Sequence, residues 1–389
     1  KPFSPGLFAA GVAQRREAMG QGPLLCCNGR ESGVARLDAD HDIDVCDAET
    51  PIGGVCQGGV SIRAPLLQPQ RCRAFGECFV LREKLGDGCF GVVHEAEDLG
   101  TGDACASRAE GLAPPRAGRV AVKVFDVGPH ADMVAKKLRS FEVEVAVLSR
   151  AHHPHIANML ECFCGEGQLH VVLELCRGGE LFARLVSYSR KHGNGGFPED
   201  YSRLLFRQML LAVGYLHSRG ILHRDIKPEN FLFLGTAGSK DGDVLKLCDF
   251  GAAGWVSGGG AASPQGAGTL SYTAPEVYLC HRARPAADLW SLGVVLYVVL
   301  TGGNPFRPHG GKTPRDETLR RIKTGDIDLM RPAWQGLSSD AQDLVGSLLQ
   351  VSEHGRATLN EAWCHDWVAN GTHAPGGFDG RACEALAAL

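Results

Sequence analysis

Regular alternation of apolar and polar positions begins at Phe79. Phe79–Leu85 follows the two-residue period of a strand, a glycine-rich turn comes next, and Gly91–Ala96 reads as the returning strand. Residues 99–118 contain Gly, Ala and Pro-Pro without a period and read as a loop inserted before the strand Val120–Phe125. Val134–Arg150 has helical spacing, and Ala157–Phe163 and Leu169–Leu175 are strand-like. Beyond Gly178-Gly179 the pattern turns helical. Tyr201, Leu204, Leu205, Ala212, Tyr215 and Leu216 make an amphipathic stripe, and further helices are predicted near 286–301, 338–349 and 358–369. Short strands are expected at 231–234 and 244–248. A strand-rich first part joined by a hinge to a helix-rich second part is an α+β, bilobal layout. No internal repeat is visible.

Before Phe79 the chain is different. Residues 1–75 are rich in Gly, Pro, Cys and Asp, have no sustained period and are expected to be disordered, as an extension ahead of a domain over 79–368 and a short tail over 369–389. Opening on Lys1 rather than Met is expected of a processed product or a fragment. The net charge of −4 over 389 residues offers no footprint for nucleic acid and no broad field towards an anionic membrane. The 15 cysteines are odd in number and scattered, without a Cys-x-x-Cys pair, and read as reduced thiols. The longest apolar run, Leu292–Leu300, is too short to span a bilayer.

The densest chemistry lies in His223-Arg224-Asp225-Ile226-Lys227-Pro228-Glu229-Asn230. Phosphoryl transfer needs a carboxylate to orient a hydroxyl nucleophile (Asp225), a cation to meet the transferred phosphate (Lys227) and an amide oxygen on magnesium (Asn230). This stretch resembles the catalytic loop of the eukaryotic protein kinases, and Lys227 resembles their serine/threonine branch. The remaining motifs agree in order. Leu85-Gly86-Asp87-Gly88-Cys89-Phe90-Gly91-Val92-Val93 is a Gly-x-Gly-x-x-Gly loop between two strands, where a dinucleotide fold would want a following helix. Val120-Ala121-Val122-Lys123 places one lysine on an apolar strand. The resemblance implies that its ion-pair partner is Glu144, ten residues before Pro154, with Glu142 the competing choice. Asp249-Phe250-Gly251 would add a second magnesium carboxylate. Ala274-Pro275-Glu276 would close an activation segment tied to Arg356, and Asp288-Leu289-Trp290-Ser291-Leu292-Gly293 would begin a helix beneath the catalytic loop.

The resemblance implies ATP and magnesium as cofactors. ATP would lie against Leu85, Gly86, Gly88, Cys89, Phe90, Gly91, Val93, Ala121 and Lys123. It would also meet Leu173 and the hinge Glu174-Leu175-Cys176, with Glu180 at the lobe junction and metal on Asn230 and Asp249. Catalytic roles fall to Asp225, Lys227, Lys123 and Glu144. Glu180 and Glu229 match positions that receive a substrate arginine, so protein substrates with basic residues near the acceptor are expected, and Thr269 is expected to meet Asp225 and Lys227. Arg224 implies an anion from the activation segment. No Asp or Glu lies between Gly251 and Pro275, so phosphorylation at Ser263, or else Ser257, by an upstream kinase is expected.

Gly-Gly-Glu-Leu-Phe, Lys-Pro-Glu-Asn and Arg356-Ala-Thr resemble the calcium/calmodulin-dependent group, whose calcium-dependent members carry a calmodulin-like tail that this sequence lacks. Direct activation by calcium is therefore not expected. Three weaker signals have blander readings. Asp38, Asp40, Asp42, Asp44 and Glu49 have calcium-loop spacing, but Ile43 stands where glycine is needed, which favours a solvated acidic segment. Met19-Gly20 with Cys26-Cys27 resembles a lipidation start, but residues precede Met19 and Leu24 occupies the Ser/Thr position. A cytoplasmic protein is expected, membrane-associated only if lipidated near Gly20 and Cys26. His152, His153 and His155 near Cys162 and Cys164 match no common zinc spacing. Cys89 and Cys248 would line the nucleotide cleft, where oxidation would block ATP.

The resulting expectation is a serine/threonine protein kinase. The rivals are a pseudokinase scaffold, against which the full set of phosphate and metal groups speaks, and a small-molecule kinase, against which the Ala-Pro-Glu segment speaks.

Overall fold

The computed structural model describes residues 74–88, 90–100, 118–128, 133–165, 167–193, 195–256, 269–280, 283–308 and 310–369. The acidic segment 38–49, Gly20, Cys26, Cys89, Ser257, Ser263, most of the 99–118 insertion and the tail beyond 369 lie outside these residues.

A one-turn helix α1 (Phe75–Cys78) leads into β1 (Phe79–Asp87), β2 (Val92–Asp98) and β3 (Arg119–Asp126), which pair as an antiparallel meander. Helix α2 (Val134–Leu148) then leads to β4 (Met159–Cys164) and β5 (Gln168–Leu173). The result is a five-stranded sheet in the order β1-β2-β3-β5-β4. Alternation along β3 divides its side chains between two cores. Val120, Val122 and Val124 join Phe79, Phe163 and Val172 on one face, and Phe125 joins Phe141 and Val145 of α2 on the other. The same alternation puts Lys123 on the face of Phe125, towards α2.

The second lobe begins after Leu173. It contains α3 (Leu181–His192), α4 (Glu199–His217), the short strands β6 (Ile221–Leu222), β7 (Phe231–Phe233), β8 (Leu245–Leu247) and β9 (Gly254–Trp255), and then α5 (Pro275–Cys280) and α6 (Pro285–Thr301). It closes with α7 (Arg315–Thr324), α8 (Pro332–Gln335), α9 (Ser339–Leu348), α10 (Leu359–Cys364) and α11 (Asp366–Ala369). β6 pairs with β9, and β7 pairs with β8. Proline at its first position starts α6, where a missing N–H costs nothing, and every residue from Ala287 to Thr301 is buried, as expected of a helix that is apolar all round. Against it pack Leu205, Met209, Ala212 and Leu216 of α4. Val147, Leu148, Ala151 and Ile156 belong to this same core, so the end of α2 is anchored in the second lobe.

The α+β, bilobal expectation is met. The helix predicted over 358–369 is broken at His365, whose backbone is extended (φ −63°, ψ 138°). The imidazole Nδ1 of His365 accepts the Trp367 N–H at 3.2 Å and so starts α11, while Thr358 and Glu361 form a reciprocal cap on α10. β4 begins two residues later than predicted, at Met159, because the preceding strap is laced to β8. Leu247 N–H donates to the His155 carbonyl and Ala157 N–H to the Leu247 carbonyl, both at 2.9 Å. Among the described residues no helix is long and apolar enough to cross a membrane, and no group of three or more His, Cys, Asp or Glu is placed to hold a metal ion.

The strap carries a pH dependence. Burial pushes the His153 imidazole from the usual 6.5 down to about 4, helped by His155, Lys246 and Arg219, and burial also lowers His155 against the pull of the Leu245 carbonyl. Between 6.5 and about 4 the unfolded chain binds a proton at His153 that the folded chain does not. Stability therefore falls as pH drops through that window and is unaffected by this group above it. Urea midpoints measured between pH 7 and pH 4.5 are expected to decline, with a shallower slope for His153→Phe, whose ring can keep the contact with Tyr215. Equal slopes for the two proteins would contradict this assignment.

Candidate active site

Lys123 is 3 % exposed, and its ammonium donates to Glu144 Oε2 and Asp249 Oδ1, each at 2.7 Å. A buried lysine without counter-charges would shed its proton. Burial does pull the Lys123 ammonium down, but the carboxylates of Glu144 and Asp249 outweigh it and hold it above the ordinary lysine value. Burial raises Glu144 against the opposing pull of Lys123. In Asp249 the pull of Lys123, with His223 and Lys227 behind it, overcomes burial and leaves the carboxyl below its usual value. Glu144 is 1 % exposed on the inner face of α2, whereas Glu142 has no ion pair with Lys123, which settles the choice between them.

The catalytic loop hangs from α6. Asp288, 2 % exposed, accepts the His223 N–H and the Arg224 N–H through its two oxygens, each at 3.0 Å, and accepts His217 Nε2 at 2.9 Å. Burial works against the Asp288 carboxylate, but His217, His223 and the Arg224 N–H hold its pKa below the usual value. His223 Nδ1 accepts the Asp225 N–H at 3.3 Å, which leaves Nε2 to donate to the Cys248 carbonyl at 3.1 Å. Thus one imidazole joins the loop to the segment preceding Asp249. Both Arg224 (φ 67°) and Asp249 (φ 61°) occupy the left-handed region, a strain borne where the chain must aim a side chain.

Asp225, 8 % exposed, accepts Lys227 Nζ at 2.6 Å and Asn230 Nδ2 at 3.2 Å on Oδ2, and its carbonyl accepts Asn230 Nδ2 at 2.7 Å. Oδ1 of Asp225 remains for a hydroxyl donor. Asn230 spends its amide nitrogen on Asp225, while among the described residues its oxygen accepts no hydrogen bond and neither does Oδ2 of Asp249. A hard cation takes oxygen ligands of this kind, so the pair Asn230–Asp249 suits magnesium.

In the sheet, Val93 lies opposite Lys123 and Ala121 opposite Leu173, so these four side chains share one face. Gly88 N–H donates to the Gly91 carbonyl at 2.8 Å, and a Cβ on Gly91 would stand 2.5 Å from the Val124 carbonyl oxygen, which only glycine avoids. Leu85 is exposed at the rim, Gly86 has open space about it, and Phe90 packs against the core that includes Phe125. The Cys176 N–H is unpaired among the described residues, as a base-reading hinge requires. Burial, then Glu174, pushes the Cys176 thiol up to about 12, and burial likewise raises Cys248, whose Sγ lies 3.2 Å from the Asn230 carbonyl. Neither thiol has the thiolate character that oxidation exploits.

Among the described residues, one carboxylate oxygen of Glu229 is buried without a partner. Burial first, then Glu180 and Asp225, raises its pKa against the pull of Lys227, so a cation is what this corner lacks. Glu180 is exposed at the start of α3. Thr269 is exposed, no hydrogen bond joins it to Asp225 or Lys227 among the described residues, and its carbonyl accepts the Tyr272 N–H. Arg356 is held bidentately by Glu276 at 2.6 and 2.9 Å, which anchors α5. Sequence reasoning gave no role to the Asp288 carboxylate, to the Glu174 side chain or to Lys246. For Asp288 the available signal was an acid on a helix otherwise too apolar to meet water.

Residues 79–368 match the protein kinase domain family. The chain is 35% identical over 289 residues to the calcium/calmodulin-dependent protein kinase cmkA of Emericella nidulans, covering 73% of this chain and 60% of that protein. It is 32% identical over 290 residues to a probable myosin light chain kinase of Dictyostelium discoideum, covering 75% and 81%. To the calcium/calmodulin-dependent protein kinase type 1 of Macrobrachium nipponense it is 31% identical over 291 residues, covering 75% of each. The chain spans 60% of cmkA and 44% of the probable serine/threonine-protein kinase fhkC of Dictyostelium discoideum, less than two thirds of either.

Proposed function

The chain belongs to the protein kinase family, and from that premise we propose that it transfers the γ-phosphate of ATP to serine and threonine hydroxyls of protein substrates. The observation that carries this reading is the Lys123 ammonium held by Glu144 and Asp249, with Asp225, Lys227 and Asn230 laced together nearby in the catalytic loop. Magnesium-bound ATP supplies the phosphoryl group and a counter-charge to it. The unengaged oxygens of Asn230 and Asp249 would hold the metal, Lys123 would meet the phosphates, and the hinge N–H of Cys176 would read the base. Asp225 Oδ1 orients the substrate hydroxyl and takes its proton late, while Lys227, 2.6 Å from Oδ2, offsets the charge on the transferred group. Asp225→Asn and Asp249→Asn are each expected to cut transfer of labelled phosphate to a peptide mixture by roughly a thousandfold. If wild type binds magnesium-ATP yet transfers no faster than both variants, the scaffold reading holds instead.

The same site supports a preference for arginine three residues before the acceptor. The buried oxygen of Glu229, unpaired among the described residues and beside the charge of Glu180, is a site for a guanidinium fork. Replacing both with alanine is expected to lower the selection for that arginine roughly tenfold in a peptide-library profile. A wild-type profile with proline selected after the acceptor and no arginine selected before it would rule the preference out.

Phosphorylation of the activation segment is the regulation this geometry supports. Among the described residues, Nε and Nη2 of Arg224 are buried without a partner, and the charge of Arg139 on α2 adds to burial in destabilising the guanidinium against the counter-pull of Asp288. A phosphate at Ser263, or Ser257, would supply the missing anion. Phosphatase treatment and the Ser257→Ala/Ser263→Ala variant are both expected to remove most activity, and undiminished turnover in both would dismiss the idea.

A further inference from the structure

The Glu174 side chain has a partner set that adenine recognition by the hinge backbone does not explain. Its Oε1 accepts the Asn158 N–H at 2.7 Å and Lys246 Nζ at 2.8 Å, while its own N–H donates to the Asn158 carbonyl at 2.9 Å. Main chain and side chain of one hinge residue therefore close on one residue of the strap. Lys246, at the middle of β8, is 5 % exposed, and Glu174 is its sole ion-pair partner among the described residues. A lysine buried this deeply holds its counter-ion firmly, since separating the two would strand a charge away from water.

Two elements of the site converge on β8. The strand is bound to the strap by the Leu247–His155 and Ala157–Leu247 main-chain bonds and pairs with β7, which starts directly after Asn230. Cys248 N–H donates to the Asn230 carbonyl at 2.9 Å, and Asp249 follows. Lys246 thus stands three residues from one proposed magnesium ligand, on a strand tied to the other, and its ammonium reaches across to the residue that opens the base-reading hinge.

We infer that Lys246 and the Glu174 carboxylate are a positioning pair that fixes the adenine-reading hinge against the two metal-binding residues, so that base and phosphates of one nucleotide can be held together. This rests on the reading of the site as one for magnesium-bound ATP. Neither side chain needs to touch the nucleotide. Lys246 acts through β8, and the Glu174 carboxylate acts through its own backbone and Asn158.

The pair is tested by comparing wild type with Lys246→Met, Lys246→Arg, Glu174→Gln and the double variant Glu174→Gln/Lys246→Met. Calorimetry reads the affinities for adenosine and for magnesium-ADP, kinetics separates KM for ATP from kcat, and urea unfolding checks that each protein is folded. Lys246→Met is expected to weaken magnesium-ADP binding and raise KM for ATP about tenfold, with adenosine affinity and kcat within about threefold of wild type. Lys246→Arg should recover most of the loss. Glu174→Gln should raise KM similarly, and the double variant should be no worse than either single one, as for two groups acting as a unit. Should Lys246→Met not fold, Glu174→Gln, which keeps an acceptor for Asn158, and Lys246→Arg carry the comparison. Unchanged magnesium-ADP affinity and KM in folded variants would reduce the pair to a structural ion pair and overturn the inference. A raised kcat at constant KM would overturn it too, by showing a restraint on closure. Wild type binding neither adenosine nor magnesium-ADP would instead overturn the reading of the site itself.

Discussion

A lysine ammonium almost sealed from water can stay charged only where carboxylates meet it, and in this chain the two that do so come from different parts of the fold. Glu144 stands on α2 and Asp249 follows β8, so satisfying the charge of Lys123 fixes a strand, a helix and a second-lobe loop relative to one another. The apolar side of this arrangement agrees with it. The residues that put Lys123 on the inner face of β3 are those that send Phe125 into contact with Phe141 and Val145 of α2. The far end of α2 is held in the large core of the second lobe through Val147 and Leu148.

The second lobe solves a related problem with the opposite charge. Asp288, on a helix buried all round, can remain ionised only by collecting donors, and the donors it collects are the N–H groups of His223 and Arg224 together with His217. The catalytic loop is thereby hung from a helix buried from Ala287 to Thr301. His223 passes that order on to the Cys248 carbonyl, next to Asp249. Buried charges at Lys123 and Asp288, each unstable alone, thus place Asp249 and Asp225 from two directions.

Much of this was legible in the sequence because it depends on local rules. One lysine on the apolar run Val120–Phe125 marked a buried cation in need of a partner, and the kinase resemblance, through the spacing to His153-Pro154, chose Glu144 over Glu142. Lys-x-x-Asn after Asp225 placed three interacting groups within one tight turn, where hydrogen bonds follow from chain geometry. What sequence could not supply were partnerships across large separations between residues that are individually ordinary. Nothing local marks Lys246 as the partner of Glu174, since a lysine on a three-residue strand reads as a solvated charge until the strap from 155 to 158 covers it. Thr269 was expected to meet Asp225 and Lys227 by position in a motif; among the described residues it makes no hydrogen bond to either, and it lies exposed ahead of the helical turn at Leu270–Tyr272. The break at His365 escaped for a similar reason, because a histidine capping its own chain two residues on has no periodic signature.

The claim that the Lys123 charge serves catalysis as well as packing is most directly tested by comparing phosphate transfer and urea stability for Lys123→Met and for Lys123→Met/Glu144→Leu. The single variant strands Glu144 and Asp249 near each other without a cation and should lose both stability and transfer. In the double variant an apolar pair replaces the buried ion pair, which is commonly neutral or stabilising, so stability should return. Transfer should stay depressed by a factor of about 100 or more, because the cation that meets the phosphates is still missing. Recovery of transfer along with stability would contradict the account and make Lys123 a structural charge alone.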